Sequence, residues 1–354
     1  MGHSLFLPYF KIVQSLLIVQ FAFIGMHILF AFLMTFFIPY SDKRKRKKFS
    51  YLKEKLLTCV RERTEWTRLN LRRSLCTIPL LIPTIRKIDE EIKDAHWDKI
   101  KASIFENILF PTAQKYSYSR KWTKRIQAIG CFLHFIDKKN EEYLLHLIKD
   151  TTPIIQYAAA YSAAKLGTLQ CTNAILDKMN QANHFLRIPL REALSRGDSH
   201  TFGYLESRLE SDKDPFIRVS CLEVLSSHMN AHISELARKD LYAPGKNLRI
   251  AAIRALGHAP DPINVTALTP LLKDPEWEIR AITARSLGYL KAKEALSELT
   301  LLLKDEIWWV RINSAIALKR LGEEGKKKLE QQTPQEDQYA YQMAQYILNV
   351  NIYE

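Results

Sequence analysis

Hydrophobic and polar positions repeat over about residues 120–322 with a period of 31 residues. The clearest two copies begin at Trp277 and Trp308, and an arginine, here called the marker, stands three residues later in each. Stepping back by 31 from Arg311 returns an arginine five times and a glutamine once, at Arg280, Arg249, Arg218, Arg187, Gln156 and Arg125. A unit of this length holds one helical hairpin, which buries an apolar face only by stacking on its neighbours.

Positions that correspond from repeat to repeat are here called columns. The residue types in the columns around the marker are those expected of helices in such a stack. Positions directly before and after the marker are mostly apolar. Six residues after it the side chain is small and seven after it mostly large, as in Ala255 and Leu256. Small and large columns side by side are typical of helices that approach closely and interdigitate. We therefore predict an all-α solenoid of about seven to eight 31-residue helical hairpins over residues 97–354, with a terminal capping repeat.

The residues from Asp274-Pro275 through Arg280 to Leu287-Gly288, and their copy ending in Asp305, resemble the bacterial HEAT-like repeat family that includes phycobilin-lyase-type repeats. The resemblance is strong over residues 243–322, weaker over 120–242 and absent before about 97. It implies that the turn aspartates and the marker arginines link adjacent repeats. It also implies that the second helix of each hairpin lines a concave face.

Two columns of the second helix, two residues before the marker and five after it, fall opposite the apolar columns. They supply the residues predicted to bind a partner: Tyr161, Phe185, Glu192, Phe216, Glu223, Arg254, Arg285 and Trp309. Aromatic side chains flanked by charges are typical of interface hot spots. The expected groove is acidic at one part and basic at another. The alternative is that the aromatic side chains fill gaps left by solenoid curvature.

Two further predictions concern local packing. Trp122, Trp277 and Trp308 share a column three residues before the marker, which predicts packing between repeats. At the C-terminal end, Thr333-Pro334-Gln335-Glu336 has the pattern of a capping box that begins the last helix.

The N-terminal segment has a different pattern, because no charged residue occurs between Lys11 and Asp42. This length exceeds the ~20 residues that span a hydrocarbon core. We predict a retained transmembrane helix, roughly residues 12–38, within an anchor of residues 1–41; a signal peptide fits poorly because the apolar run is too long. Six cations follow the segment and are expected to contact anionic lipid: Lys43, Arg44, Lys45, Arg46, Lys47 and Lys48.

This charge distribution predicts an N-terminus outside and a cytoplasmic body, in a membrane of the bacterial inner-membrane type. Residues 42–96 are predicted to form a basic juxtamembrane helix and linker. A helix over 49–75 either lies along the lipid headgroups or packs on the body. Proline residues at 79 and 83 are expected to interrupt regular structure before a helical segment from about 86.

Charge and candidate chemistry add to this picture. Residues 1–125 hold 24 basic and 10 acidic residues, whereas residues 126–354 hold 28 of each. Five cysteines without a CxxC pair disfavour a disulfide framework and a zinc cage. His228 and His232 are the only histidines at helical spacing, and no carboxylate or third ligand is expected beside them. The sequence has no nucleotide-binding or hydrolase motif, and we predict no cofactor, no metal and no catalytic residue.

These observations favour a membrane-anchored, non-catalytic scaffold that binds a protein or peptide. A nucleic-acid-binding protein is one alternative, although the neutral body lacks the basic face that phosphate binding requires. A bilin-lyase-like enzyme is the other, by analogy with the repeats that the sequence resembles.

Overall fold

The computed structural model describes residues 6–69 and 71–350, and every regular element in these ranges is helical. The chain divides into two compact units, residues 1–115 and 116–354. The first unit contains the elements α1 (Phe6–Arg61), a 3₁₀ helix (Trp66–Leu69), α2 (Ile78–Glu91), α3 (Ala95–Ile104), a π-helical turn (Phe105–Leu109) and most of α4 (Phe110–Ser117).

Helix α1 continues without a break from the apolar segment into the basic one. The window Ile18–Thr35 is long and apolar enough to cross a membrane, and none of it is buried within the protein. The basic helix predicted to reach residue 75 ends instead at Arg61, where Arg63 follows with a φ of 56°. The predicted interruption by prolines is also wrong: α2 begins at Ile78, with Pro79 in its first turn and Pro83 in its interior.

The core of the first unit lies where the basic end of α1 packs on α2. Leu52 and Leu56 of α1 are fully buried, as are Leu81 and Ile85 of α2. These residues recur at four-residue spacing in both helices, which places them on one face of each. The turns of α1 that follow the cationic stretch are therefore fixed to α2 by a packed apolar interface.

The second unit is a stack of helical hairpins. Its second helices, each in contact with the next, are α5 (Trp122–His134), α7 (Pro153–Leu166), α9 (His184–Ser195), α11 (Pro215–Leu225), α13 (Lys246–Leu256), α15 (Trp277–Tyr289), α17 (Trp308–Arg320) and α19 (Gln338–Asn349). The intervening first helices are α6 (Glu141–Ile148), α8 (Leu169–Gln181), α10 (Ser199–Ser211), α12 (Ala231–Lys239), α14 (Pro262–Leu268), α16 (Leu296–Leu301) and α18 (Glu323–Glu330). The predicted all-α solenoid is confirmed.

The small and large columns form the interior of this stack. All seven small-column residues and all seven large-column residues from repeat to repeat are buried, from Cys131 and Phe132 to Ala317 and Leu318. The column directly after the marker is less enclosed, since Ile188 is exposed. Helix α7 is followed by its C-cap Gly167, whose φ of 68° lies in the left-handed region that favours glycine.

The marker arginines connect consecutive repeats through ion pairs. Each guanidinium reaches a carboxylate near the next second helix, at N–O distances between 2.6 and 2.9 Å, in the pairs Arg125–Asp150, Arg218–Asp240, Arg249–Asp274 and Arg280–Asp305. Three of these arginines, Arg125, Arg218 and Arg280, also donate to a backbone carbonyl six residues earlier, as Arg280 does to Asp274 at 3.0 Å. The predicted linking role of these arginines is confirmed.

Three marker positions depart from this arrangement. Gln156 keeps only the bond to the carbonyl of Asp150, six residues earlier. Arg187 pairs with Glu223 at 3.0 Å. Arg311 donates to the carbonyl of Asp305 at 2.8 Å and lies over the ring of Tyr339, 5.3 Å from its centroid.

The last repeat begins later than predicted. The stretch from Thr333 to Glu336 is a turn, and α19 starts at Gln338, with the side chain of Asp337 accepting a hydrogen bond from the backbone N–H of Ala340 at 2.9 Å. The predicted capping box is wrong because Asp337 supplies the N-cap.

Candidate partner-binding face

The eight predicted partner-binding residues lie on second helices, and none of them is buried. Phe185, Phe216 and Trp309 are exposed by 85%, 65% and 55%. These fractions belong to surface side chains rather than to side chains that fill gaps between repeats. The face that carries them, formed by α7 to α17, is called the second-helix face below.

A groove crosses four consecutive second helices of this face. Its volume is about 250 Å³, and its lining comes from α9, α11, α13 and α15. Three arginines enter it from different helices: Arg191, Arg254 and Arg285. Because the 31-residue repeat places equivalent positions of successive helices side by side, residues far apart in sequence meet in this groove.

Both acids of the expected acidic part of the groove are paired with an arginine. The Glu192 carboxylate accepts from Arg196 at 2.8 Å, and the Glu223 carboxylate accepts from Arg187 at 3.0 Å. A paired carboxylate contributes little negative potential to a binding partner. In sequence the two glutamates look like a charge column, whereas the fold neutralises each with a neighbouring arginine.

The three groove arginines form no ion pair with any carboxylate of residues 6–69 and 71–350. Partial desolvation lowers the pKa of the Arg254 guanidinium, the charges of Arg285 and Arg191 lower it further, and Glu223 opposes the shift. An arginine remains charged at neutral pH despite such a shift. The groove is therefore cationic, although residues 126–354 hold equal numbers of basic and acidic residues.

One end of the groove is formed by Tyr289 and the cations around it. The Tyr289 hydroxyl accepts from Arg285 at 3.1 Å, and this hydrogen bond lowers the pKa of the phenol. The Arg320 guanidinium lies 4.1 Å from the centroid of the same ring, and the His258 ring stacks on it at 5.9 Å. These contacts hold Arg285 and its ring partner in a fixed arrangement.

A second cavity adjoins the groove and shares two of its arginines. It has a volume of about 250 Å³ and is lined by Arg254 and Arg285 together with Trp277, Trp309 and Asn313. Trp309 also packs edge to face with its neighbour Trp308, at a centroid distance of 4.7 Å. The face thus places indole rings beside unpaired guanidinium groups, an association found at interface hot spots.

The tryptophan column that was predicted to pack between repeats reaches the surface. Trp122, Trp277 and Trp308 are all exposed. Trp277 belongs with the candidate site.

The sequence analysis missed Arg191, although the sequence carried a signal for it. Four residues after the marker, the other repeats have buried apolar side chains, as at Ala160, Leu222, Ile253 and Ala284. Arg191 occupies this column and is exposed. A single charged residue in an otherwise apolar column marks a local departure from the repeat.

The histidine pair has a carboxylate neighbour that was not expected. His232 Nδ1 lies 2.6 Å from a Glu206 carboxylate oxygen, and this hydrogen bond raises the pKa of the imidazole. No group of three or more metal-ligating side chains occurs in the part of the chain that the structure describes. The five cysteines are free, and burial raises the pKa of the Cys131 and Cys221 thiols to about 12.

One family model matches part of the repeat region of this chain. Residues 265–345 match the family described as HEAT repeats. This match covers the last three hairpins, from α14 to α19. No curated protein matches the chain in sequence.

Solved structures with a similar fold include proteins of several kinds. Human deoxyhypusine hydroxylase in complex with glycerol is 17% identical with a TM-score of 0.29, and the match covers 71% of this chain and 98% of that chain. The CpcE–CpcF complex of phycocyanin lyase from Nostoc sp. is 18% identical with a TM-score of 0.33, covering 66% and 93%. Kap121p is 11% identical with a TM-score of 0.43, covering 73% and 39%.

Proposed function

We propose that this protein is a membrane-anchored scaffold whose second-helix face binds a protein partner. The proposal rests on one observation. Exposed aromatic side chains and three arginines without ion pairs to the described residues lie on the same face. Exposed aromatic residues beside unpaired arginines are costly to keep on a surface unless a partner covers them.

The chemistry of the face specifies the kind of partner segment. Trp277 and Trp309 offer an apolar contact, and Arg254 and Arg285 lie in the same cavity. A segment with an apolar anchor next to acidic side chains would satisfy both. Such a segment would desolvate the arginines while pairing them, which favours it over a purely apolar one.

The membrane part of the proposal rests on α1. Its apolar window is fully exposed, so no contact within the protein explains eighteen uncharged positions. A helix of this length and composition satisfies its own backbone hydrogen bonds in lipid. The cations that follow the window favour a cytoplasmic second unit and an N-terminus outside.

Affinity purification of the full chain from mild detergent tests the partner-binding face. We compare the wild type with the variant Phe216→Ala/Arg285→Ala/Trp309→Ala and identify recovered proteins by mass spectrometry. The expected result is a partner that the wild type recovers and the variant loses. Equal recovery by both would contradict the assignment of the face.

A matched control distinguishes loss of contact from loss of folding. Tyr242, Leu301 and Lys213 are exposed and lie outside the two cavities, so their triple alanine variant removes a similar set of side chains elsewhere. This control should retain the partner, and all three proteins should have the same helical circular dichroism. Extraction of membranes with alkaline carbonate tests the anchor separately, since a spanning helix keeps the chain in the pellet.

A further inference from the structure

A cationic cavity lies in the first unit, between the basic stretch of α1 and the segment that follows the 3₁₀ helix. Its volume is about 490 Å³. Four of its lining residues are cations: Arg44, Lys47, Lys48 and Arg72. The remaining lining comes from Tyr51, Ser74 and leucines, and no lining residue is acidic.

The cations of α1 in this cavity share one face of the helix. Arg44, Lys47, Lys48 and Tyr51 follow one another at spacings of three, one and three residues, so they project on the same side. The other three cations of the run, Lys43, Lys45 and Arg46, do not line the cavity.

The cavity carries positive charge that the described residues leave uncompensated. Asp42 directly precedes the run of cations, and its carboxylate lies 3.9 Å from Lys45, a residue outside the cavity. Arg44, Lys47, Lys48 and Arg72 form no ion pair with any residue that the structure describes. Like charges gathered around one cavity repel each other, and a bound anion removes that repulsion.

The position along α1 indicates where the anion comes from. Arg44 follows the last uncharged residue of the apolar segment, Ser41, by three positions, about 4.5 Å along a helix axis. In a bilayer the headgroup layer extends roughly 5–8 Å beyond each side of the hydrocarbon core. A cavity that opens at Arg44 therefore lies at the level of lipid phosphates when the apolar segment spans the membrane.

We propose that this cavity binds the headgroup of one anionic phospholipid, with Arg44, Lys47, Lys48 and Arg72 around the phosphate. Arginine contributes paired N–H donors to phosphate oxygens, and the lysines contribute charge. The leucine side chains and Tyr51 border the apolar part of the lipid. This inference rests on the membrane anchor of the proposed function and assigns to it a defined lipid site instead of a diffuse attraction.

Native mass spectrometry of the full chain tests this site. The chain is purified in an uncharged detergent and titrated with phosphatidylglycerol or with phosphatidylcholine. We expect one phosphatidylglycerol to be retained by the wild type, with much weaker retention of phosphatidylcholine. The variant Arg44→Gln/Lys47→Gln/Lys48→Gln should need on the order of 100-fold more phosphatidylglycerol for the same occupancy, from about fivefold per cation.

The same run supplies the matched control. Lys43→Gln/Lys45→Gln/Arg46→Gln removes the same charge from the same turns of α1 but from outside the cavity. Near-wild-type lipid retention by this control supports a defined site. Equal loss in both triple variants would overturn the proposal in favour of general electrostatic attraction.

Two further measurements complete the test. Arg72→Gln lies on another segment of the cavity and should also weaken retention, whereas an unchanged affinity would overturn the proposed geometry. Inorganic phosphate that displaced the lipid at equal concentration would show that free phosphate, not a lipid, is the ligand. Alkaline extraction tests the anchor alone, because release of the chain from membranes would contradict the anchor of the proposed function. The lipid titration is carried out in detergent, so its result is independent of that extraction.

Discussion

The ion pairs between repeats lead to a quantitative prediction at Arg280. Its guanidinium donates to the Asp305 carboxylate at 2.7 and 3.0 Å, and the side chain of that aspartate is only 7% exposed. Arg280→Gln leaves the carboxylate buried without its cation. Loss of one partner from a buried pair costs about 3–5 kcal/mol.

Arg311 is the internal control for this substitution. It makes the same kind of bonds to two backbone carbonyls, at 2.8 and 3.0 Å, but pairs with no carboxylate of residues 6–69 and 71–350. Gln156 shows that a glutamine at the marker position still reaches the carbonyl six residues earlier. We therefore expect Arg311→Gln to cost only about 1 kcal/mol.

Hydrogen exchange of the full chain, measured by mass spectrometry, reports the local effect, since repeat proteins need not unfold in one step. Arg280→Gln should speed amide exchange in α15 and α17 by on the order of 100-fold, corresponding to about 3 kcal/mol. Arg311→Gln should speed exchange in α17 less than about tenfold. The reasoning is refuted if the two variants lose protection equally, because the carboxylate would then contribute nothing.

Three other predictions concern the second unit and the cysteines. Glu206 raises the pKa of His232, so their pair stabilises the fold fully below pH 6.5 and stops doing so as the pH rises through the folded-state pKa. The difference in melting temperature between the wild type and His232→Gln should therefore shrink from pH 6 to pH 8.5. A Cβ on Gly288 would lie 2.7 Å from the Cα of Ala317 on the next second helix, so Gly288→Ala should lower the free energy of unfolding by about 1–3 kcal/mol in urea denaturation. Only Cys76 is not buried, so a maleimide at pH 7.5 should label it first in the folded chain and reach the other cysteines only in denaturant.

The repeat was predictable because stacking imposes the same demand every 31 residues. Each second helix must present a small residue and a large residue to its neighbour, so the columns containing Ala255 and Leu256 recur and are buried. The link between a marker arginine and a turn aspartate also recurs, as at Arg249 and Asp274. A feature that every repeat shares leaves a periodic trace in the sequence.

The electrostatics of the candidate site were not predictable in the same way. Glu223 belongs to an exposed column, but its ion pair is with Arg187, 36 residues earlier. Arg191 is missed because it breaks the pattern instead of following it. The charge pattern of the candidate face depends on such single departures, whose partners are set by the packing of neighbouring helices.

The exact ends of helices depend on which nearby residue supplies the cap, and the repeat period does not determine this. The capping box at Thr333 had the right residue types, yet Asp337 caps α19. Similarly, α2 accommodates Pro83 in its interior, although proline there removes a backbone donor. Burial of Ile82 and Ile85 on either side provides a packing gain that offsets this loss.

The central claim is that the second-helix face, and not another surface of the solenoid, contacts a partner. The most direct test places a photo-crosslinking amino acid at Phe216 on that face and, in a separate protein, at Leu301 on α16, a side chain of equal exposure (65% and 66%). Full-length proteins are irradiated in native membranes and the products are compared. The account predicts a discrete crosslinked partner from position 216 and none from position 301. Crosslinking of the same partner from 301 alone, or equally from both positions, would contradict it.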